Sequence, residues 1–356
     1  MPRTLIAIDA TLVLGENTGD STYWTGLLSG LADIESEFDF VLLSDQDKPP
    51  NLDLPEERFT WTMLPKRRSR WFSRVTLPVA ARKLGAGAFH TQYSLSPLAR
   101  NGITTIHDVS FFIGPEWFKP KDRFLLRRSV PASAMRAVKV ITVSETSKRD
   151  IVSYLRVPPG KVAVTYNAAQ PYFRPTEPGP VLKSLGIDSP YLLTIGARWP
   201  RKNIALAIQA AALLPERLSH KLIVTGKEGW GDEGESPRVV STGYLANEQL
   251  PALYSGASIY LLPSHYEGFG LPMLEAFACG TPVLSSSGGA LPEVSAGAAE
   301  IMNEATPGAW AAKIQELLAD SSKLAEMRDR GFARAAQFSW QETARRTLDV
   351  YREVCQ

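Results

Sequence analysis

The chain has 356 residues, more than one ordinary core encloses, so two domains are the starting expectation. Its 39 Lys+Arg against 37 Asp+Glu leave a net charge of +2, which names no partner, and no apolar run approaches the ~20 residues of a membrane-spanning helix. Cys279 and Cys355 fit neither a metal spacing nor a disulfide framework, and MPRTLIAIDA lacks the apolar run of a signal peptide; the expectation is a soluble protein of the reducing cytoplasm.

Short apolar runs then alternate with amphipathic stretches. Strands are predicted at 5–9, 40–44, 60–64, 88–91, 103–108, 140–144 and 162–166, with helices at 22–33, 76–84, 121–137 and 145–155. The segment QPYFRPTEPGP (170–180) holds four prolines and a glycine and reads as a linker. After it the alternation restarts, with strands at 191–196, 221–226, 239–243, 258–263, 282–286 and 300–303. Helices are predicted at 203–214, 247–256, 271–279, 307–319, 321–336 and about 340–354. Near-continuous apolar strands separated by helices indicate parallel sheets covered on both faces. The fold class is therefore α/β, with two Rossmann-like domains and a cleft between them. The domains are placed at 1–172 and 173–337, and 338–356 forms a closing segment.

Ligands of such sheets gather at the carboxyl ends of strands, so polar residues there are the candidates. Arg198, Arg201, Lys202 and Asn203 follow the strand YLLTIG where a helix begins, a setting that suits an anion. In HYEGFGLPMLEAFACGTPV (265–283), Glu267 precedes a turn through Gly268, Phe269 and Gly270, and Glu275 lies inside the helix that starts near Leu271. If both carboxylates were helical, their spacing would span roughly 12 Å along the axis. A hydrolytic pair needs about 5–9.5 Å, so separate roles on one long polar ligand fit better. His107 and Asp108 end the strand ITTIHD, and Asp108 is available to orient His107 or cap a turn. Gly226, and Gly243 with Tyr244, end two later strands. His90 and His265 are read as structural.

Two further features compete for meaning. Asp45-Gln46-Asp47 is a D-x-D of the kind that holds a divalent cation, but it sits in a surface loop early in the chain. From Lys66 to Lys139 there are 15 basic residues against Asp108, Glu116 and Asp122, densest in PKRRSRWF. This bias reads as a solvated basic face, or as a contact for an anionic membrane or phosphate-bearing acceptor.

EGFGLPMLEAFACGTPV resembles the E-x7-E block of the retaining glycosyltransferases of family 4, which have the two-domain GT-B fold. TIGARWPRKN (194–203), TIHDVSFFIGPEWF (105–118), ITVSETSKRDI (141–151), STGYLANEQLPALYSGA (241–257) and GGALPEV (288–294) are similar to other segments of that family. FSWQETARRTLDVYREV (338–354) resembles its closing helix, which crosses back to the N-terminal domain. The resemblance implies transfer of a sugar from a nucleotide diphosphate sugar to an acceptor hydroxyl with retention, and without a metal or other cofactor. It implies that Glu275 takes the ribose, Glu267 the hydroxyls of the transferred sugar, and Lys202 with one arginine the diphosphate. Arg198 is the positional choice for that arginine and Arg201 the runner-up. His107 is implied to approach the transferred sugar, and the nucleotide base to lie near Gly226 and Tyr244.

LGENTGDSTYWTGL (14–27) resembles the family's glycine-rich loop at Gly19 and Tyr23, with Ser21 and Thr22 replacing its usual glycine and arginine. That loop is implied to line the acceptor and phosphate region. The implied partners are a nucleotide-sugar donor, leaning to GDP-mannose, and a saccharide or lipid-linked acceptor in polysaccharide or glycolipid assembly. Peripheral contact with the inner membrane face is compatible with the basic bias, and nucleic acid is not implied. The rival readings are a sugar-nucleotide-binding subunit without catalysis and an epimerase of the same fold.

Overall fold

The computed structural model describes every residue except 1–2, 14–18, 51, 66–70, 189 and 230–235. The chain divides into two compact units, Met1–Ala168 with Ser339–Gln356, and Ala169–Phe338.

In the first unit, β1 (Thr4–Asp9), β2 (Phe38–Ser44), β3 (Phe59–Met63), β4 (Ala88–Gln92), β5 (Gly102–Thr105), β6 (Lys139–Thr142) and β7 (Val162–Val164) make one sheet in the order β3-β2-β1-β4-β5-β6-β7. Every pairing is parallel. Strands such as FDFVLLS and AFHTQ are buried almost throughout because helices cover both faces. On one face, Phe72, Leu77 and Ala81 pack with Val130 and Ala134 of the helix Pro120–Arg136 and Ile151 of the helix Glu145–Leu155. The helices Gly19–Asp33 and Trp340–Cys355 pack against each other, and the second of them also reaches β4 and β6. Gly26 and Gly30 permit that approach: a Cβ on Gly26 would lie 2.1 Å from the Trp340 ring, and one on Gly30 2.2 Å from the Trp340 carbonyl. The closing helix begins at an N-cap, with the Ser339 hydroxyl accepting from the Glu342 amide. As the resemblance implied, the last helix of the chain returns to the N-terminal unit.

The second unit holds β8 (Tyr191–Ile195), β9 (Lys221–Thr225), β10 (Val239–Gly243), β11 (Ile259–Leu262), β12 (Val283–Ser286) and β13 (Glu300–Met302) in the order β10-β9-β8-β11-β12-β13, again all parallel. This is the 3-2-1-4-5-6 order of the nucleotide-binding sheet, whose direction of winding reverses between β8 and β11. The first unit has the same reversal between β1 and β4. Each reversal leaves a crevice at the strands' carboxyl ends.

Several predicted elements are shorter than the sequence suggested. The helix expected from 203 is a 3-10 turn, Pro200–Lys202, then Asn203 at φ 50, then a helix Ile204–Ala212. The strand ITTIHD stops at Thr105, which leaves His107 and Asp108 in the loop beyond it. Short helices at Gly179–Ser184, Ser110–Ile113 and Leu291–Ser295 were not anticipated.

Candidate functional site

In the second unit, the loops after β8 and β11 meet at the switch point. The turn Pro200–Lys202 brings two cations to the buried Glu267, whose side chain is 7% exposed. Arg201 Nη1 donates to Glu267 Oε2 at 2.9 Å and to the Tyr266 carbonyl at 2.6 Å. Lys202 Nζ donates to Glu267 Oε1 at 2.7 Å, and the Ser264 hydroxyl donates to the same oxygen at 2.6 Å. Burial alone would raise the Glu267 carboxyl. The charges of Lys202 and Arg201, with hydrogen bonds from Lys202 and Ser264, overcome it and hold the group at about 2. Glu267 is therefore a fixed anion that orients two cations. Both of its oxygens have partners before any ligand arrives, an occupation the sequence did not reveal.

Glu275 lies one turn into the helix Leu271–Ala278 and has the opposite character. Its Oε2 accepts from the Tyr254 hydroxyl at 3.0 Å. Burial pushes its carboxyl up to about 7, against the lowering effects of that hydrogen bond and of the Lys202 charge. Lys202 thus acts electrostatically on both glutamates, which places them at one site with two different charge states. Such a pair suits a ligand with an anionic part at Arg201 and Lys202 and a hydroxylated part at Glu275.

Other predicted donor residues are distributed unevenly. Arg198 is not the partner of Lys202 at Glu267; Arg201 is. The Arg198 backbone amide bonds the Lys227 carbonyl, and its guanidinium donates to Ser241 Oγ at 2.7 Å. Phe269 is buried with its ring edge-on to Phe338, so it packs the unit rather than facing a ligand. Gly268 and Gly270 form the turn into the helix, with Gly270 at φ 93, and Leu271 is half-buried at its first position. Gly226 is where β8 and β9 touch: a Cβ there would lie 2.0 Å from the Gly196 carbonyl oxygen. Tyr244 is 48% exposed with Lys227 Nζ 5.4 Å from its ring centroid, an open aromatic surface at the end of β10. His265 is exposed, and its amide bonds the Arg201 carbonyl, which ties the two loops together.

In the first unit, His107 lies half-buried beyond β5. Its Nε2 is 3.7 Å from Asp20 Oδ1 and makes no hydrogen bond, while its ring meets Tyr23 edge-on at 4.8 Å. Burial lowers its pKa, with Asp20 and Asp108 acting in the other direction. Asp108 accepts from the Ser110 amide at 2.8 Å and caps the turn. Tyr23 lies in the helix predicted at 22–33. It belongs to the helix Gly19–Asp33, is fully buried, and shares a hydrogen bond with Thr105. Its role is to support the His107 ring from below. Gly19 starts that helix, and the remainder of the expected glycine-rich loop, 14–18, lies outside the described residues. His90 is structural as expected: Nδ1 pairs with Tyr351, Nε2 with Thr105, and burial lowers it to about 3.

The sequence reading missed three residues. Ser264 and Tyr254 hold the two glutamates, as described above. Gln92 closes β4 at the switch point of the first unit, 7% exposed, with neither amide atom hydrogen-bonded. A buried orphan amide costs about 1–3 kcal/mol, so it marks a site with a second demand on it. The one available signal was position, a polar residue at the end of the strand AFHTQ. Asp45 and Asp47 follow β2 in a partly exposed loop. Among the described residues no three His, Cys, Asp or Glu side chains gather as a metal cluster. The dense basic run 66–70 lies outside the described residues.

Residues 183–334 match the family model for glycosyl transferases group 1, and residues 18–171 match that for Glycosyltransferase Family 4. The chain is 36% identical over 266 residues to an O-antigen chain mannosyltransferase B from Escherichia coli, covering 70% of each. It is 31% identical over 264 residues to the O-antigen chain mannosyltransferase RfbU of Salmonella typhimurium, covering 70% of this chain and 69% of that one. Among solved structures, sucrose-phosphate synthase from Thermosynechococcus elongatus superposes with a TM-score of 0.77 at 21% identity, over 99% of both chains. Anabaena HepE in complex with UDP-glucose superposes with a TM-score of 0.75 at 17% identity, over 98% of this chain and 99% of that one.

Proposed function

Because the chain belongs to glycosyltransferase family 4 and has that family's two Rossmann-like domains, we propose that it moves a mannosyl group from a nucleotide diphosphate donor to a saccharide or lipid-linked acceptor hydroxyl, with retention of configuration. The observation that carries this reading is the convergence of Arg201, Lys202, Glu267 and Glu275 at the switch point of the second sheet. A diphosphate leaving group accumulates charge as its bond to the sugar breaks, and two oriented cations stabilise that charge without reorganising. The Glu275 carboxylate accepts hydrogen bonds from the ribose diol. The acceptor oxygen bonds C1 on the face the diphosphate leaves, and the acceptor proton passes to the departing phosphate oxygen. This course needs no protein base, in keeping with a Glu267 held ionised by its cations.

His107 is assigned to the transferred sugar and Gln92 to the acceptor side, each from its unsatisfied polar atoms at strand ends of the first unit. The mannosyl assignment draws on the names of the relatives, and GDP is the nucleotide favoured by the sequence resemblance. The Arg201–Lys202 pair takes the place of a divalent cation, so transfer is expected to survive EDTA.

The test is transfer from GDP-mannose, followed by NMR of the anomeric proton in the product, with and without EDTA. An α-linked product formed equally in both conditions is expected. An inverted product, or activity abolished by EDTA and restored by a divalent metal, would overturn the mechanism.

A further inference from the structure

The helical layer formed by residues 72–83 and the helix Pro120–Arg136 carries eight Lys and Arg against one acidic residue, Asp122. From Arg58 to His107 the sequence contains no Asp or Glu at all, against nine Lys and Arg. Among the described residues, the Arg74, Arg82, Lys83 and Arg100 side chains have no ion-pair partner, and all four belong to exposed residues. Arg82 and Arg100 line a cavity of about 240 Å³ with Pro78, Ala81 and Phe89 as its apolar walls. It lies by Gly85 and Ala86, at the amino ends of β4 and β5, the opposite end of the sheet from His107 and Gln92.

Bulky exposed apolar residues accompany these cations along the chain: Trp71 lies three residues before Arg74, Leu84 follows Lys83, and Leu98 lies two residues before Arg100. Trp71 is 59% exposed, Leu98 50% and Leu84 47%. On the neighbouring helix, Phe124 (63%) and Met135 (61%) share one stripe with Arg128, at helical spacings of four and seven. Single exposed apolar residues are ordinary. Several of them interleaved with unpaired cations, on a surface nearly free of acid, form the pattern of an interfacial membrane contact, in which cations meet lipid phosphates and apolar tips enter the headgroup layer.

We propose that this face of the first unit docks on an anionic lipid bilayer, with a lipid phosphate held between Arg82 and Arg100 and with Trp71, Leu84 and Phe124 reaching into the headgroup layer. No helix of the described residues is long and apolar enough to cross a membrane, so the contact is peripheral. The strongly cationic charge, with Asp122 its one acid, favours a bilayer over a protein partner, and the protruding apolar groups favour it over nucleic acid. The inference does not rest on the transferase reading, because vesicle binding is measured without donor or acceptor.

The experiment is co-sedimentation of the full chain with vesicles of phosphatidylcholine alone or mixed with phosphatidylglycerol. Binding is expected to the mixed vesicles only, and is expected to disappear in high salt. Arg82→Ser with Arg100→Ser should weaken it roughly 30-fold at an unchanged melting temperature. Trp71→Ser should weaken it too, whereas Arg345→Ser, on a helix outside this layer, should not. Equal binding to both vesicle types, undiminished binding by the double variant, or full displacement by millimolar inorganic phosphate would overturn the proposal, the last by making the cavity a site for a soluble anion.

Discussion

Replacing Glu275 by Gln should stabilise the unliganded protein at pH 8 and leave its stability unchanged near pH 4.5. The carboxyl titrates at 4.5 in an unfolded chain and at about 7 in the fold, where burial disfavours its charge. At about 1.4 kcal/mol per pH unit, that interval corresponds to about 3 kcal/mol, brought to about 2–3 by water reaching the half-buried group. Since the folded value is the higher one, the cost is absent below pH 4.5, grows as pH rises to 7 and is constant above. Glutamine keeps an oxygen for the Tyr254 hydroxyl and removes the charge, so little offsets the gain. For a unit of this size the melting temperature of Ala169–Phe338 should rise by about 5–10 °C at pH 8. Thermal melts of both proteins across pH 4.5–8 without nucleotide provide the assay. A difference that does not change with pH, or a variant less stable at pH 8, would show that burial does not raise the Glu275 carboxyl. The carboxylate's place in the site is then a cost in stability retained for the ligand.

The other predictions use the same site and its counterpart. Nucleoside diphosphate affinity should fall as pH drops below about 7, when Glu275 becomes protonated, and Glu275→Gln should bind weakly at every pH; calorimetric titrations from pH 5.5 to 8.5 measure both. Glu267 is held at about 2, so its contribution is complete above pH 4.5 and is lost as pH falls toward 2. Glu267→Gln should therefore cost about 3 kcal/mol at pH 7 and flatten the acid limb of the stability curve, read by urea unfolding. Gln92→Leu removes a buried orphan amide and should hold or raise the stability of the first unit by up to about 3 kcal/mol, read by urea unfolding. Transfer should fall at the same time, and unchanged transfer would deny the amide a ligand.

Much of this site was legible before any coordinates. Parallel strands buried on both faces are near-continuous apolar runs, so the strand ends were visible, and with them Lys202, Glu267, Glu275 and His107. What the sequence could not resolve was direction. Arg198 and Arg201 lie three residues apart, but only Arg201 sits on the 3-10 turn that aims at Glu267. Arg198 precedes it, with its backbone tied to Lys227. Tyr23 fell both in the loop-like stretch 14–27 and in the predicted helix 22–33; the helix begins earlier, at Gly19, and its Gly26 and Gly30 let the Trp340 helix approach. Gln92 and Tyr254 were invisible because one letter does not say whether a polar atom finds a partner.

In the proposed function, Arg201 and Lys202, held by Glu267, bind a diphosphate. Calorimetry of nucleoside diphosphate and monophosphate binding to Lys202→Ala and Arg198→Ala measures that role. Lys202→Ala is predicted to abolish the preference for the diphosphate, while Arg198→Ala largely keeps it. Full diphosphate preference in Lys202→Ala would contradict that role.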